Sequence, residues 1–207
     1  MTLRIWGRLN SINVQKVVWT CEELGVPYDR TDAGGAFGIV ATPEYKAMNP
    51  NSVVPVIDDD GFVLWESNAI TRYLAAKHGA GTLWPSDLRV RADADRWMDW
   101  QCTEFSPRMR LAFWNLIRTP KENQDPAAIE ESRAGSEAMT AILDAALTGR
   151  TFIAGDNFSI GDIPIGVAVH RWLGLPIRRE RCPAVDAYYA RVMARPAAAK
   201  VLAGPIT

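Results

Sequence analysis

Apolar residues follow one rhythm in the first third of this chain and another in the rest. Leu3-Arg4-Ile5-Trp6 reads as a short strand. After a loop from Gly7 to Ile12, Val14, Val17, Val18, Cys21 and Leu24 recur at helical spacing, and Gly25 stands where a helix would stop. Pro27 to Thr31 reads as a second strand, so strand, helix and strand within some thirty residues suggest a right-handed parallel crossover. Ala33 to Ala41 is rich in small residues and reads as a loop. Thr42-Pro43 starts a helix, with Thr as cap and Pro in the first turn, and Asn49-Pro50 ends it. Val56-Ile57 and Phe62-Val63-Leu64-Trp65 flank Asp60-Gly61, the signature of a tight hairpin. Glu66 to His78 then carries Ala69, Ile70, Tyr73 and Leu74 on a third helix. The expected order is β-α-β-α-β-β-α.

From Leu88 onward the pattern is helical throughout. Leu88 to Arg118 predicts one long helix, with Trp97, Trp100, Phe105 and Met109 on its apolar positions and Pro107 expected to kink or break it. Pro126 to Leu147 predicts a second. In Phe158-Ser159-Ile160-Gly161-Asp162-Ile163, Ser159 is placed to cap a third helix and Asp162 to return the bond, with Phe158 and Ile163 as a staple. Pro183 to Ala194 predicts a fourth and Pro196 to Leu202 a short fifth. The rhythm predicts a mixed α/β domain over residues 1–79, a Gly- and Pro-containing linker over 80–87, and an all-α domain over 88–207.

Composition narrows the function. With 48% hydrophobic and 23% charged residues the chain fits a globular protein, and a net charge of −1 points to neither a nucleic-acid nor an acidic-surface partner. The N-terminus lacks the apolar core of a signal peptide, and no run approaches the roughly 18 apolar residues of a membrane helix. Cys21, Cys102 and Cys182 are odd in number and far apart, which disfavours a disulfide framework or a zinc site and fits a reducing cytoplasm. His78 and His170 lie far apart in helical patterns and read as structural, and most of the eight tryptophans read as core. No phosphate loop, nucleophile elbow or zinc-protease motif is present, and Gly34-Gly35-Ala36-Phe37-Gly38 does not match the dinucleotide fingerprint.

One feature resists a purely structural reading. Pro55 stands among the β-branched residues of Val53-Val54-Pro55-Val56-Ile57, although proline has no N–H for a ladder. Together with "NSINVQKVV" after the first strand, "NPNSVVPVI", "LWESNAITRYLAAKHG" and the late "GDNFSIGDI", in order and over essentially the whole chain, this resembles the glutathione S-transferase family, most closely its bacterial B-type members. The resemblance implies a thioredoxin-like N-terminal domain, an all-α C-terminal domain and a homodimer in the cytoplasm. It also implies glutathione as co-substrate, no metal, and a small electrophile that the glutathione thiolate attacks.

The resemblance also implies residue roles. Pro55 corresponds to a cis proline, whose bend leaves the backbone of Val54 free to pair with the cysteinyl part of glutathione. Glu66 and Ser67 match the site of the γ-glutamyl group, whose carboxylate suits a helix N-terminus. Ser11 matches the serine that hydrogen-bonds the thiolate, and Asn13 the asparagine used beside a hydroxyl residue; either could instead merely cap the helix. Ile12, Phe37, Arg110, Phe113, Trp114 and Trp172 are candidates for the electrophile pocket, each also a candidate for core packing. Asp99 or Glu104 is a candidate to reach a partner subunit's ammonium group. Where many relatives carry Lys or Gln, Val53 stands here, so that contact falls to Lys46, Asn51 or Arg8 or is missing. Two other readings remain open, a glutathione-dependent disulfide or peroxide reductase and a non-catalytic module that binds glutathione or hydrophobic ligands.

Overall fold

A computed structural model describes residues 2–207, which divide into two compact units at Ser86/Asp87. The first begins with β1 (Leu3–Trp6), α1 (Ile12–Leu24) and β2 (Tyr28–Thr31). A short 3₁₀ turn at Gly35–Phe37 follows, then α2 (Pro43–Met48), β3 (Val56–Asp59), β4 (Phe62–Trp65) and α3 (Ser67–His78). The four strands form one mixed sheet in the order β2-β1-β3-β4. β1 and β2 are parallel, with Leu3 opposite Tyr28, whereas β3 runs antiparallel to both β1 and β4.

Each element follows from local chemistry. α1 buries Val14, Val17, Val18 and Cys21, and Gly25 ends it at φ 64°, a left-handed value that costs glycine little. Thr42 caps α2 by accepting the Tyr45 N–H at 3.2 Å, with Pro43 in the first turn. Asp60 and Gly61 turn the hairpin with φ of 57° and 88°, both positive as a two-residue turn of this kind requires. Ile5, Ile57, Ile70, Leu74, Val17 and Trp19 are fully buried between sheet and helices.

The second unit is helical: α4 (Leu88–Trp100), α5 (Ser106–Phe113), α6 (Pro126–Leu147), α7 (Asp162–Gly174), α8 (Pro183–Met193) and α9 (Pro196–Val201). Side-chain oxygens cap three of them: Asp87 for α4, Asp125 for α6, and Asp144, reaching across from α6 to the Ala184 and Val185 N–H groups, for α8.

Two expectations need correction. Pro107 does not break the Leu88–Arg118 helix. The backbone widens into a π-type turn at Gln101–Phe105 immediately before it, and again at Trp114–Arg118. A wide turn relieves the clash between the proline ring and the preceding turn, so the helical path continues. Ser159 does not cap α7 through its hydroxyl. Its Oγ donates to Asp162 at 3.0 Å, and Asp162 also accepts the N–H groups of Ser159 at 2.8 Å and Ile153 at 2.9 Å. Asp162 is fully buried, so the carboxylate gathers every nearby donor and leaves the hydroxyl in the donor role.

Candidate active site

The chain enters β3 through a cis bond between Val54 and Pro55. Pro55 stays outside the ladder, whose first pair is Val56 with Trp6. The Val54 side chain packs on a cluster of Ala33, Tyr45 and Val56, while its N–H and C=O make no backbone hydrogen bond among the described residues. The loop is held from behind. The Val53 carbonyl accepts from Tyr45 Oη at 2.9 Å and from Asn49 Nδ2 at 2.8 Å, and Asn49 Oδ1 accepts from the Asn51 N–H at 3.0 Å. Burial pushes the Tyr45 phenol up to about 12, so it keeps the proton it donates. These two supports were not foreseen. Asn49 had read only as a helix end, and its burial at 1% exposure is the signal that it does more.

Ser11 immediately precedes α1 in an extended conformation, and its largely buried side chain makes no cap hydrogen bond. Its backbone is fully used: the N–H donates to the Arg8 carbonyl at 3.1 Å, and the C=O accepts from Gln15 at 2.9 Å. The hydroxyl therefore stands at the positive end of a 13-residue helix without serving that helix. Within the first turn of α1, Asn13 Oδ1 accepts from Ser67 Oγ at 3.4 Å. Ser67 is the first residue of α3, so the starts of α1 and α3 lie side by side. A second tie joins the same helices, from buried Lys16 Nζ to Asn68 Oδ1 at 3.2 Å. Glu66, expected to open the helix, instead precedes it at φ 73°, a left-handed backbone that a non-glycine residue adopts at a cost of about 1–3 kcal/mol. Such strain persists where neighbouring structure imposes it, and here it holds exposed Glu66 at the start of α3.

The model of the glutathione S-transferase N-terminal domain matches residues 10–77, and that of the C-terminal domain matches residues 106–196. The chain belongs to the glutathione S-transferase family. It is 41% identical to the glutathione S-transferase GstB of Escherichia coli strain K12, covering 99% of this chain and 100% of that one. A theta-class glutathione S-transferase from Xanthomonas axonopodis pv. citri, solved with glutathione bound, is 44% identical. It superposes with a TM-score of 0.96 over 100% of this chain and 99% of that chain. A glutathione transferase from Burkholderia graminis, solved with two glutathione molecules per subunit, is 30% identical with a TM-score of 0.86, covering 99% and 88% of the two chains.

Within this transferase the remaining candidates lie in different surroundings. Ile12 is half-buried and Phe37 is 53% exposed, both in the first unit. In the second, Arg110 is exposed and Trp114 is 44% exposed, with the Arg118 guanidinium 4.8 Å from its ring centre. Phe113 and Trp172 are buried, Phe113 under Arg171 at 4.1 Å and Trp172 under Arg179 at 5.8 Å. Arg118 and Arg171 had not been singled out, because cation–π pairs leave no sequence pattern. Asp99 is exposed on α4, and Glu104 is paired with Arg108 at 2.5 Å. Of the three candidates to replace a contact at Val53, Asn51 is tied to Asn49 and Lys46 is exposed in the last turn of α2. Arg8 lies against Gly34 and Gly35, in the direction of Val54.

Proposed function

We propose that Ser11 holds the thiol of glutathione as its thiolate, and that this thiolate attacks a small electrophilic carbon. A carbon–sulfur bond forms, the leaving group departs with its electron pair, and the thiol proton passes to solvent. Free thiols titrate near about 8.5, so lowering the value by about two units makes the thiolate dominant at neutral pH and is worth roughly 2.7 kcal/mol. The Ser11 hydroxyl supplies one hydrogen bond, the start of α1 supplies partial positive charge, and Asn13 supplies a second polar group. The Val54 backbone pairs with the cysteinyl unit, beside cis Pro55. Ser67 and the start of α3 take the γ-glutamyl carboxylate, and Glu66 takes its ammonium group. Half-buried Ile12, next to Ser11, and exposed Phe37 are the apolar candidates of the first unit to meet the electrophile.

The observation that carries this reading is the Ser11 hydroxyl, aligned with a helix start yet making no cap bond. Cys21 supports transfer over a disulfide-exchange route through a protein thiol. It is buried in α1, and burial, with Glu22 adding to it, pushes its thiol up to about 12. Free thiols at Cys21, Cys102 and Cys182 fit a cytoplasmic enzyme, and no described helix is long and apolar enough to cross a membrane. The transferase acts as a homodimer, a reading supported by exposed Phe62 and Val63 on the edge strand β4.

Ser11→Ala tests the assignment. Loss of one preorganised donor should lower kcat about 100-fold on a chlorodinitrobenzene and raise the titration midpoint of bound glutathione, followed by thiolate ultraviolet absorbance. Unchanged rates in Ser11→Ala with loss in Asn13→Ala would transfer the role to Asn13. Binding of glutathione without turnover of any electrophile or disulfide would leave a non-catalytic module.

A further inference from the structure

A helix start ordinarily satisfies its first N–H groups with a side chain at the cap. The starts of α1 and α3 do not follow that rule. Ser11 and Glu66, the residues that precede them, make no side-chain cap hydrogen bond among the described residues. A pair of ties between the two helices, running in opposite senses, holds them instead. Ser67 Oγ of α3 donates to Asn13 Oδ1 of α1 at 3.4 Å, and Lys16 Nζ of α1 donates to Asn68 Oδ1 of α3 at 3.2 Å. Asn13 and Lys16 are three residues apart and share a face of α1, while Ser67 and Asn68 are consecutive at the start of α3.

Lys16 is the unexpected member of this set. It is 1% exposed, on a helix pair that otherwise buries Val14, Val17, Ile70 and Leu74 completely. A methionine or leucine at that position would fill the space without removing a charge from water. A buried ammonium holds its acceptor more strictly than a neutral donor does, because separation leaves a desolvated charge behind. The bond to Asn68 therefore fixes where α3 begins relative to α1, one residue from Ser67.

We propose that Lys16 is a positioning residue for glutathione: through Asn68 it holds the start of α3 beside the start of α1, in place of the caps that both helices lack. This rests on the reading that the γ-glutamyl group meets Ser67 and the start of α3. The arrangement has a chemical use. A side-chain cap would occupy the groups that the ligand needs, whereas a tie behind them fixes the backbone and leaves the Ser11 hydroxyl and the start of α3 to glutathione. Lys16 acts on the binding of glutathione, and the chemistry at sulfur stays with Ser11.

Calorimetry with glutathione itself, on the full chain, compares wild type with Lys16→Met, Asn68→Leu and the double variant. Each single change should raise Kd about 10-fold, and the double variant should bind no more than about twofold more weakly than either, because all three lose the same tie. KM for glutathione should rise in step, with kcat on a chlorodinitrobenzene at saturating glutathione little changed. Lys16→Arg, which still donates, should recover part of the affinity. The double variant is apolar on both sides of the contact, so its urea midpoint should not fall below that of wild type. Weaker binding at undiminished stability separates positioning from simple support of the fold. An unchanged Kd in Lys16→Met, single effects that multiply in the double variant, or weaker binding only in step with lost stability overturns the proposal while leaving the reading of the site intact. A wild-type protein that binds no glutathione overturns that reading and the proposal with it.

Discussion

Asn49 and Asp162 are both buried polar side chains, and each organises backbone around itself. Asn49 ties the loop that leads to Val54, with one amide serving as donor to Val53 and acceptor from Asn51. An amide offers both roles, which explains Asn at a position where Asp could only accept. Asp162 has the opposite task, since its three partners are all donors. Burial nevertheless dominates and pushes its carboxyl up to about 6, with the hydrogen bonds opposing the rise. The unfolded chain releases the same proton near the ordinary 3.8, so between those values the folded state holds the extra proton. Stability should therefore fall as pH rises from about 4 to about 6, by up to about 3 kcal/mol, and then level off. Urea unfolding at pH 4.5 and 6.5 checks this. Asp162→Asn, which has no proton to lose, should flatten the difference, and an unchanged slope in that variant would reject the assignment.

At the level of elements, the helices of the second unit are shaped by contacts that no single segment reveals. The Ser132 hydroxyl of α6 enters the ladder of α5, accepting the Ala112 N–H at 2.9 Å and donating to the Arg108 carbonyl. Gly161, just before α7, lets that segment meet the backbone of α4: a Cβ there would stand 2.7 Å from the Ala94 carbonyl oxygen and 3.0 Å from Ala94 Cα. Backbone atoms cannot step aside as a side-chain end can. Gly161→Ala should therefore cost about 1–3 kcal/mol of unfolding free energy, although φ −66° is a normal alanine conformation. Chemical denaturation measures it; a stabilised variant would show that entropy loss in the unfolded glycine outweighs the close approach. The two wide turns of the Leu88–Arg118 path belong to the same class. Pro107 announced a disturbance, but whether the helix kinks, stops or widens depends on what surrounds it.

For the molecule as a whole, the sheet order leaves β4 at an edge, where Phe62 is 49% exposed and stacks at 5.2 Å on Tyr73 of α3. Exposed apolar residues on an edge strand favour pairing with another chain. Sedimentation should give twice the mass of one chain, and Phe62→Lys should shift the equilibrium toward one copy while the far-ultraviolet spectrum is retained. A wild-type protein that sediments as a single chain at high micromolar concentration would dismiss the dimer.

What the chain determined by itself was local. Helix stops such as Gly25, the Asp60-Gly61 turn, the Thr42-Pro43 start and the change from mixed to helical rhythm all act within a few residues, where backbone sterics and side-chain caps decide the outcome. The motifs around Ser11, Pro55 and Ser67 were legible only through the resemblance that they carry together. Tertiary structure alone decided that Asn13 of one helix meets Ser67 of another, that Glu66 takes a left-handed backbone, that Asn49 and Tyr45 hold the Val53 carbonyl, and that Arg8 lies along two glycines. Each of these depends on atoms brought together from distant parts of the chain, and hydrogen bonds and close packing act at that separation in space with no regard to separation in sequence.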